Sequence, residues 1–263
     1  MRIGLGPLAL DAFTAADLAL MARKAESAGY DSIWVAEARG KGAGGGLAAA
    51  GFLAELVEIR VGAVVQAGLY HPLHLAEDVA VADVSSRGRV ELAITRPDAA
   101  ALRRYEAARS AARLAEEIAI VTTALSGAHF RHEGDHYQVP ANLPANGSTP
   151  ARLAINPAPA QPAVPIWLEA GMPRALAVAR RLGLGLLRAW GDRHRPLRPA
   201  ASRLPAALLS PAEATLEELA GAAEGGSGYF LVAARTPDEA EAAGRRLLAA
   251  LRMPDPPPWV TAG

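Results

Sequence analysis

The sequence contains no cysteine, almost no lysine and no long hydrophobic run. Without cysteine, disulfide scaffolds, thiolate nucleophiles and cysteine-ligated metals are excluded. No stretch approaches the roughly 18 uninterrupted apolar residues of a transmembrane helix. The apolar run at the N-terminus is too short for a signal peptide and is better interpreted as a first strand. We therefore expect a soluble, cytoplasmic protein that has no membrane partner.

An excess of charge of one sign is also lacking. Lysine and arginine number 27 together, and so do aspartate and glutamate. No net positive field favours a polyanion, so no nucleic-acid partner is expected. His129, His132 and His136 lie in one short segment, but their spacing is not typical of a metal site, and no metal is expected.

Short β-like runs alternate with segments of helical periodicity, which predicts repeated βα units and a parallel sheet. A chain of 263 residues can form one α/β domain, expected over residues 1–263. Residues 192–205 are polar and arginine-rich where a full barrel needs a helix and a strand. The fold is therefore expected to be a (β/α)8 TIM-type barrel, for which a complete closure and an incomplete one near residues 192–210 are both open. The predicted strands are 2–5, 32–36, 59–66, 90–95, 165–168, 184–189, 206–209 and 228–233.

Start signals mark several helices. A hydroxyl residue followed three positions later by an acidic residue fits a capping box, and proline is favoured at the first helical position. The pairs are Thr14 with Asp17, Ser210 with Glu213, and Thr236 with Glu239, with Pro211 and Pro237 at helix starts. The first helix is expected to stop near Gly29, and a hairpin is expected around Gly134.

Four segments, in order, resemble the bacterial-luciferase-like flavin oxidoreductase family over nearly the whole chain. They are AESAGYDSIWVAEAR (25–39), YHPLHLAEDVAVADVSSRGRVELAITR (70–96), FRHEGDHYQV (130–139) and PIWLEAGMPRALAVARRLGLGLLRAW (165–190). The resemblance implies a luciferase-like barrel and a flavin-dependent oxidoreductase of monooxygenase type that uses reduced FMN on a small organic substrate. It also implies a homodimer through residues 47–56 and 72–85, and a separate flavin reductase as partner. The alternative cofactor is the deazaflavin coenzyme F420.

The resemblance places the cofactor at the C-terminal mouth of the barrel, where barrel enzymes carry their chemistry. It matches Arg96 to a phosphate-binding arginine, and it places a non-prolyl cis peptide behind the flavin ring at Ala63-Val64. Pro173 is expected at the first position of a helix whose free N–H groups meet the phosphate. The expected cofactor-binding residues are Ala63, Val64, Gln66, Arg96, Gly171, Met172, Arg174 and Trp190, and the expected catalytic residues are Glu37 and His71.

Departures from the family pattern leave other functions open. Ala38 stands where the family often has a catalytic histidine, and Pro97 lies where it has a glycine-containing run. Two alternatives to a flavin enzyme are a non-catalytic protein and a cofactor-free enzyme in which Glu37 and His71 act as acid and base. Structural interpretations also exist: Arg96 as a solvated charge, Glu37 as a salt-bridge partner of Arg39, and Trp34, Trp167 and Trp190 as barrel packing.

Overall fold

The computed structural model describes residues 1–37, 45–104, 110–140, 152–192 and 204–252. Within these ranges, the parallel strands form a closed barrel in the order β1-β10-β9-β8-β7-β4-β3-β2, and β5 and β6 form a separate hairpin. The strands are β1 (Arg2–Ala9), β2 (Ser32–Ala36), β3 (Arg60–Gln66), β4 (Val90–Thr95), β5 (His132–Glu133), β6 (Gln138–Val139), β7 (Ile166–Glu169), β8 (Gly185–Arg188), β9 (Ala206–Ser210) and β10 (Tyr229–Val232). The helices are α1 (Ala15–Ala28), α2 (Gly45–Ala54), α3 (Pro72–Ser85), α4 (Ala99–Arg104), α5 (Ala111–Ala124), α6 (Ala175–Leu182), α7 (Leu216–Glu224) and α8 (Pro237–Arg252).

The predicted (β/α)8 TIM-type barrel is confirmed, and it closes completely, so the alternative of an incomplete closure near residues 192–210 is wrong. Strand β9 pairs with β8 on one side, through Leu186 and Ala206, and with β10 on the other, through Ala207 and Tyr229. Residues 193–203, which include most of the polar segment behind that alternative, lie outside the described residues. The other predicted strands are confirmed, β2 and β4 with the predicted ends.

Helix starts are partly as predicted. The Thr14–Asp17 capping box is present, with the Asp17 amide donating to the Thr14 hydroxyl, and α1 is capped by Gly29 in the left-handed conformation at φ 89°. The Glu239 amide likewise donates to Thr236 Oγ1 at 3.1 Å, where α8 begins. The predicted start at Ser210 is wrong. Ser210 ends β9, and α7 starts after Thr215 with its own capping box.

The core has two parts, one between the barrel and its helices and one inside the barrel. Trp34 and Trp167 lie inside the barrel, as the packing interpretation expected, and each faces a glycine of a neighbouring strand. A Cβ on Gly62 would lie 2.0 Å from Trp34, and one on Gly185 would lie 2.3 Å from Trp167. Because Gly62 and Gly185 have no side chain, the barrel interior has room for the two tryptophan rings.

The barrel interior toward the N-terminal ends of the strands is closed by polar contacts. The fully buried carboxylate of Glu91 accepts hydrogen bonds from Arg2 at 2.6 Å, Arg60 at 2.5 Å and the Trp167 indole at 2.9 Å. Open space is left at the C-terminal ends. None of the helices in the described ranges is long and apolar enough to cross a bilayer.

Candidate active site

A cavity of about 420 Å³ opens at the C-terminal ends of the barrel strands. Its size lies within the roughly 300 to 1,000 Å³ typical of small-molecule sites. The interior side chains that form its walls, such as Ala36, Val64 and Leu187, are small or medium in size, whereas tryptophans fill the barrel below. The lining combines these apolar groups with a few polar ones, namely Glu37, Gln66, Thr95, Arg96, Asp98, Glu169 and Arg188.

Glu37 follows β2 and is 5 % exposed. Its backbone amide donates to Val64 O at 3.2 Å, and its Oε2 accepts from the Gln66 amide at 3.1 Å. The Tyr70 hydroxyl donates to its other carboxylate oxygen. Tyr70 was not among the predicted site residues. A buried carboxylate paired with a phenol can hold or pass on a proton.

Gln66 ends β3 and connects two walls of the cavity. Its side-chain oxygen accepts from the Asp98 amide at 2.8 Å, and Asp98 in turn caps the start of α4 through two hydrogen bonds of 2.8 Å. Within the described ranges, the side-chain nitrogen of Gln66 makes no hydrogen bond. Gln66 therefore offers amide donors to a molecule in the cavity.

Arg96 follows β4 and is paired with Glu169 at the end of the neighbouring strand β7. The guanidinium donates to Glu169 Oε1 at 3.0 and 3.2 Å, and the backbone amide of Arg96 donates to Oε2 at 2.8 Å. Glu169 was not predicted from the sequence. The Arg96 side chain is still 56 % exposed, so part of its fork of five N–H donors is open to an anion.

The turn before α6 adjoins this ion pair. A Cβ on Gly171 would lie 3.2 Å from Arg96 Nη2, so the glycine lets the guanidinium approach the turn closely. Pro173 is not the first helical residue, which corrects the expectation, because α6 begins after Arg174. Arg174 has a left-handed φ of 60° and provides no side-chain cap for the helix. Met172 is buried in the outer core.

The peptide bond between Ala63 and Val64 is trans, which corrects the predicted cis bond. The cis bonds among the described residues all precede proline. Both residues lie within β3, whose pairing with β2 and β4 runs through this point without a break in register. A non-prolyl cis bond costs about 3 to 4 kcal/mol and would interrupt such a ladder. Val64 lines the cavity, whereas Ala63 is fully buried in the outer core.

The other predicted residues lie away from the cavity. His71 is the N-cap of α3, with its ring 5.7 Å from that of Tyr137, and it is not among the cavity-lining residues. Burial, followed by the neighbouring His74, lowers the pKa of His71. Trp190 is half-buried in a short turn after β8. Ala38 and Arg39 lie outside the described residues.

A second cavity, of about 320 Å³, lies at the opposite end of the barrel. Prolines and apolar residues around the starts of β7 and β8, including Pro162, Pro165 and Leu184, form most of its wall. Among the residues that the structure describes, its lining includes no charged side chain that could activate a substrate. The mouth at the C-terminal ends is therefore the candidate active site.

Comparisons with known proteins agree with this architecture. The sequence model of the family described as luciferase-like monooxygenase matches residues 3–256. A search of curated protein sequences finds no match. Similar solved structures include monooxygenase RslO1 from Streptomyces bottropensis, with 16% identity, a TM-score of 0.74, and coverage of 95% of this chain and 100% of that one. The coenzyme F420 dependent tetrahydromethanopterin reductase from Methanopyrus kandleri has 13% identity, a TM-score of 0.75, and coverage of 95% and 99%. A riboflavin lyase solved with modified FMN and riboflavin has 12% identity, a TM-score of 0.74, and coverage of 96% and 91%.

Proposed function

Because the chain belongs to the luciferase-like monooxygenase family, we propose that it is a flavin-dependent oxidoreductase of monooxygenase type acting on a small organic substrate. FMN is the proposed cofactor, and coenzyme F420 is the alternative. The observation that carries the proposal is the exposed part of the Arg96 guanidinium, which borders the mouth cavity and adjoins the Gly171 turn. A single domain over residues 1–263 and a cytoplasmic location stay predictions.

The residues present fit a flavin-type cofactor. Val64 and Leu187 give the cavity an apolar wall for an aromatic ring, and the unengaged Gln66 amide can donate to acceptor atoms on the ring edge. Arg96 and the start of α6 would hold a phosphate. Glu169 competes for Arg96, so an incoming phosphate has to share the guanidinium with this carboxylate.

Reduced FMN, when bound, supplies electrons to oxygen, and reduced F420 supplies hydride. The residues of this chain position the reactants and handle protons. Glu37 can take a proton from a substrate, and the Tyr70 hydroxyl, by donating to Glu37, stabilises the carboxylate form. Because Glu37 is 5 % exposed, water has little access to this proton. His71 does not line the cavity, and its role as acid or base stays a prediction.

Cofactor titration tests the proposal. The absorption spectrum of the purified protein is recorded before and after addition of FMN or F420, and affinities are measured for the unmodified chain and for Arg96→Ala. Loss of one charge-assisted contact, about 1.5 to 3 kcal/mol, predicts roughly tenfold to hundredfold weaker binding. Arg180→Ala, at an exposed arginine in the last turn of α6, is the matched control and should bind as the unmodified chain does.

Equal affinities of Arg96→Ala and the unmodified chain would contradict the phosphate assignment. If neither cofactor binds the unmodified chain, the proposal fails. A non-catalytic protein, or a cofactor-free enzyme that depends on Glu37, would then account for the fold better. Turnover that depends on an added flavin reductase would support the proposed reductase partner.

We also propose that two copies of this chain associate through α2 and α3. Phe52, Val81 and Val84 on these helices are 43 %, 51 % and 45 % exposed, an unusual concentration of large apolar side chains on adjacent helices. Light scattering at micromolar concentration should give the mass of a dimer. Val81→Asp should give the mass of a monomer, and a monomeric unmodified chain would contradict the assembly.

A further inference from the structure

A buried carboxylate lies outside the mouth, on α5. Glu117 is 2 % exposed. Its Oε1 accepts a hydrogen bond from the Gly68 amide at 3.0 Å, whereas its buried Oε2 has no hydrogen-bond partner in the part of the chain that the structure describes. Buried polar atoms are nearly always paired, because an unpaired one is costly to desolvate. The proton and acid–base scheme proposed for the mouth does not use this group.

The amide that Glu117 accepts belongs to the loop between β3 and α3, residues 67–71. Ala67 is fixed at the base of the loop by its amide, which donates to Thr95 O at 2.9 Å. Gly68 has a left-handed φ of 77° that favours glycine. Two residues later, the Tyr70 hydroxyl donates to Glu37 in the mouth. Glu117 therefore holds the middle of the segment that carries Tyr70.

We propose that Glu117 is a positioning residue, whose carboxylate holds the Gly68 amide and thereby fixes the Tyr70 hydroxyl against Glu37. The importance of the Tyr70–Glu37 contact for chemistry rests on the proposed function. The coupling between Glu117 and the loop does not rest on the proposed function, since it follows from the two hydrogen bonds alone.

The surroundings of Glu117 make this coupling sensitive to pH. Burial raises the pKa of Glu117 to about 7, against the opposing effects of the Gly68 hydrogen bond and the Arg113 charge. Both protonation states therefore exist near neutrality. The ionised form accepts the Gly68 hydrogen bond more strongly, because a charge-assisted bond is the stronger kind.

Few other groups act on this carboxyl. Arg113 lies one turn earlier on the same helix, and Tyr137, which directly precedes β6, acts on it from the hairpin. The loop contributes the uncharged Gly68 amide and, at its end, His71, whose ring packs on that of Tyr137. Glu116 precedes it but bonds to the hairpin, through His132 Nε2 at 2.9 Å and the Tyr137 amide at 2.7 Å.

The test follows the Gly68 amide and the Tyr70 ring by NMR in the isotope-labelled full chain without cofactor, from pH 5.5 to 8.5. We expect both signals to titrate together with a midpoint near 7. In Glu117→Gln, which keeps the shape and an acceptor oxygen, both signals should lose the titration with a midpoint near 7. Any titration that remains at lower pH belongs to His71, whose pKa is lowered by burial. Glu116→Gln is the matched control and should retain them, because the hydrogen bonds of Glu116 go to the hairpin.

Two results would overturn the proposal. One is a Gly68 signal that titrates in Glu117→Gln as it does in the unmodified chain, which assigns the proton to another group. The other is a Tyr70 signal that is unchanged in Glu117→Ala, which removes the acceptor altogether. Because the readout needs no cofactor or substrate, a failure of flavin binding in the separate titration leaves this test unaffected.

Discussion

Replacing Glu117 by glutamine is expected to make the protein more stable at alkaline pH and to leave it nearly unchanged at acidic pH. Burial holds the pKa of this carboxyl at about 7, against an ordinary value of 4.5. The folded chain therefore binds more protons than the unfolded chain between these two values. The free energy of unfolding falls as the pH rises through this window, by about 3 kcal/mol in total. Since Glu117 is 2 % exposed, solvent screening reduces this change in unfolding free energy only slightly.

Urea unfolding at pH 5, 6, 7 and 8.5, followed by circular dichroism, measures the effect. The difference in unfolding free energy between Glu117→Gln and the unmodified chain should be small at pH 5 and reach about 3 kcal/mol in favour of the variant at pH 8.5. Comparing the two chains cancels the contribution of all other titrating groups. Parallel pH profiles, or a variant less stable than the unmodified chain at pH 8.5, would refute the reasoning.

Three further substitutions test other parts of the structure. Glu91→Ala leaves the half-buried Arg2 and Arg60 and the Trp167 indole without their buried acceptor. It should lower the unfolding free energy by about 2 kcal/mol in urea melts, less than for a fully buried ion pair because solvent screens both arginines; a loss within error of zero would contradict this network. Gly62→Ala places a Cβ 2.0 Å from Trp34 and should cost about 3 kcal/mol, with a shifted tryptophan emission spectrum as an independent sign. Glu169→Gln removes the carboxylate that competes with the FMN phosphate for Arg96. It should tighten FMN binding roughly fivefold, about 1 kcal/mol, in a fluorescence titration, and unchanged or weaker binding would contradict this competition.

Much of the barrel could be predicted because its strands and helices are locally encoded. Short, largely apolar runs identified β2 and β4 with their observed ends, and the capping box at Thr14 identified the start of α1. The same capping pattern failed at Ser210. Ser210 and Thr215 both precede an acidic residue at the correct spacing, and pairing of β9 with β10 takes Ser210 into the sheet. Local spacing cannot show this long-range pairing.

The candidate site was predictable where it depends on strand ends alone. Glu37, Gln66 and Arg96 each end or follow a parallel strand, and such ends meet at one mouth. The partners Tyr70 and Glu169 were missed, because identifying them requires strand order and loop course. Glu169 reaches Arg96 because β7 lies beside β4, although 73 positions separate the two residues. The available signal for Glu169 was its position directly after the predicted parallel strand 165–168, where β7 ends.

A crystal structure of the protein with FMN or F420 tests the central claim most directly. We expect electron density for the ring system in the cavity of about 420 Å³, against Val64 and Gln66, with the phosphate beside Arg96 and the Gly171 turn. Cofactor density in the cavity at the opposite end of the barrel, near Pro165 and Leu184, would contradict the account. So would an empty mouth at cofactor concentrations far above those that saturate the solution titration.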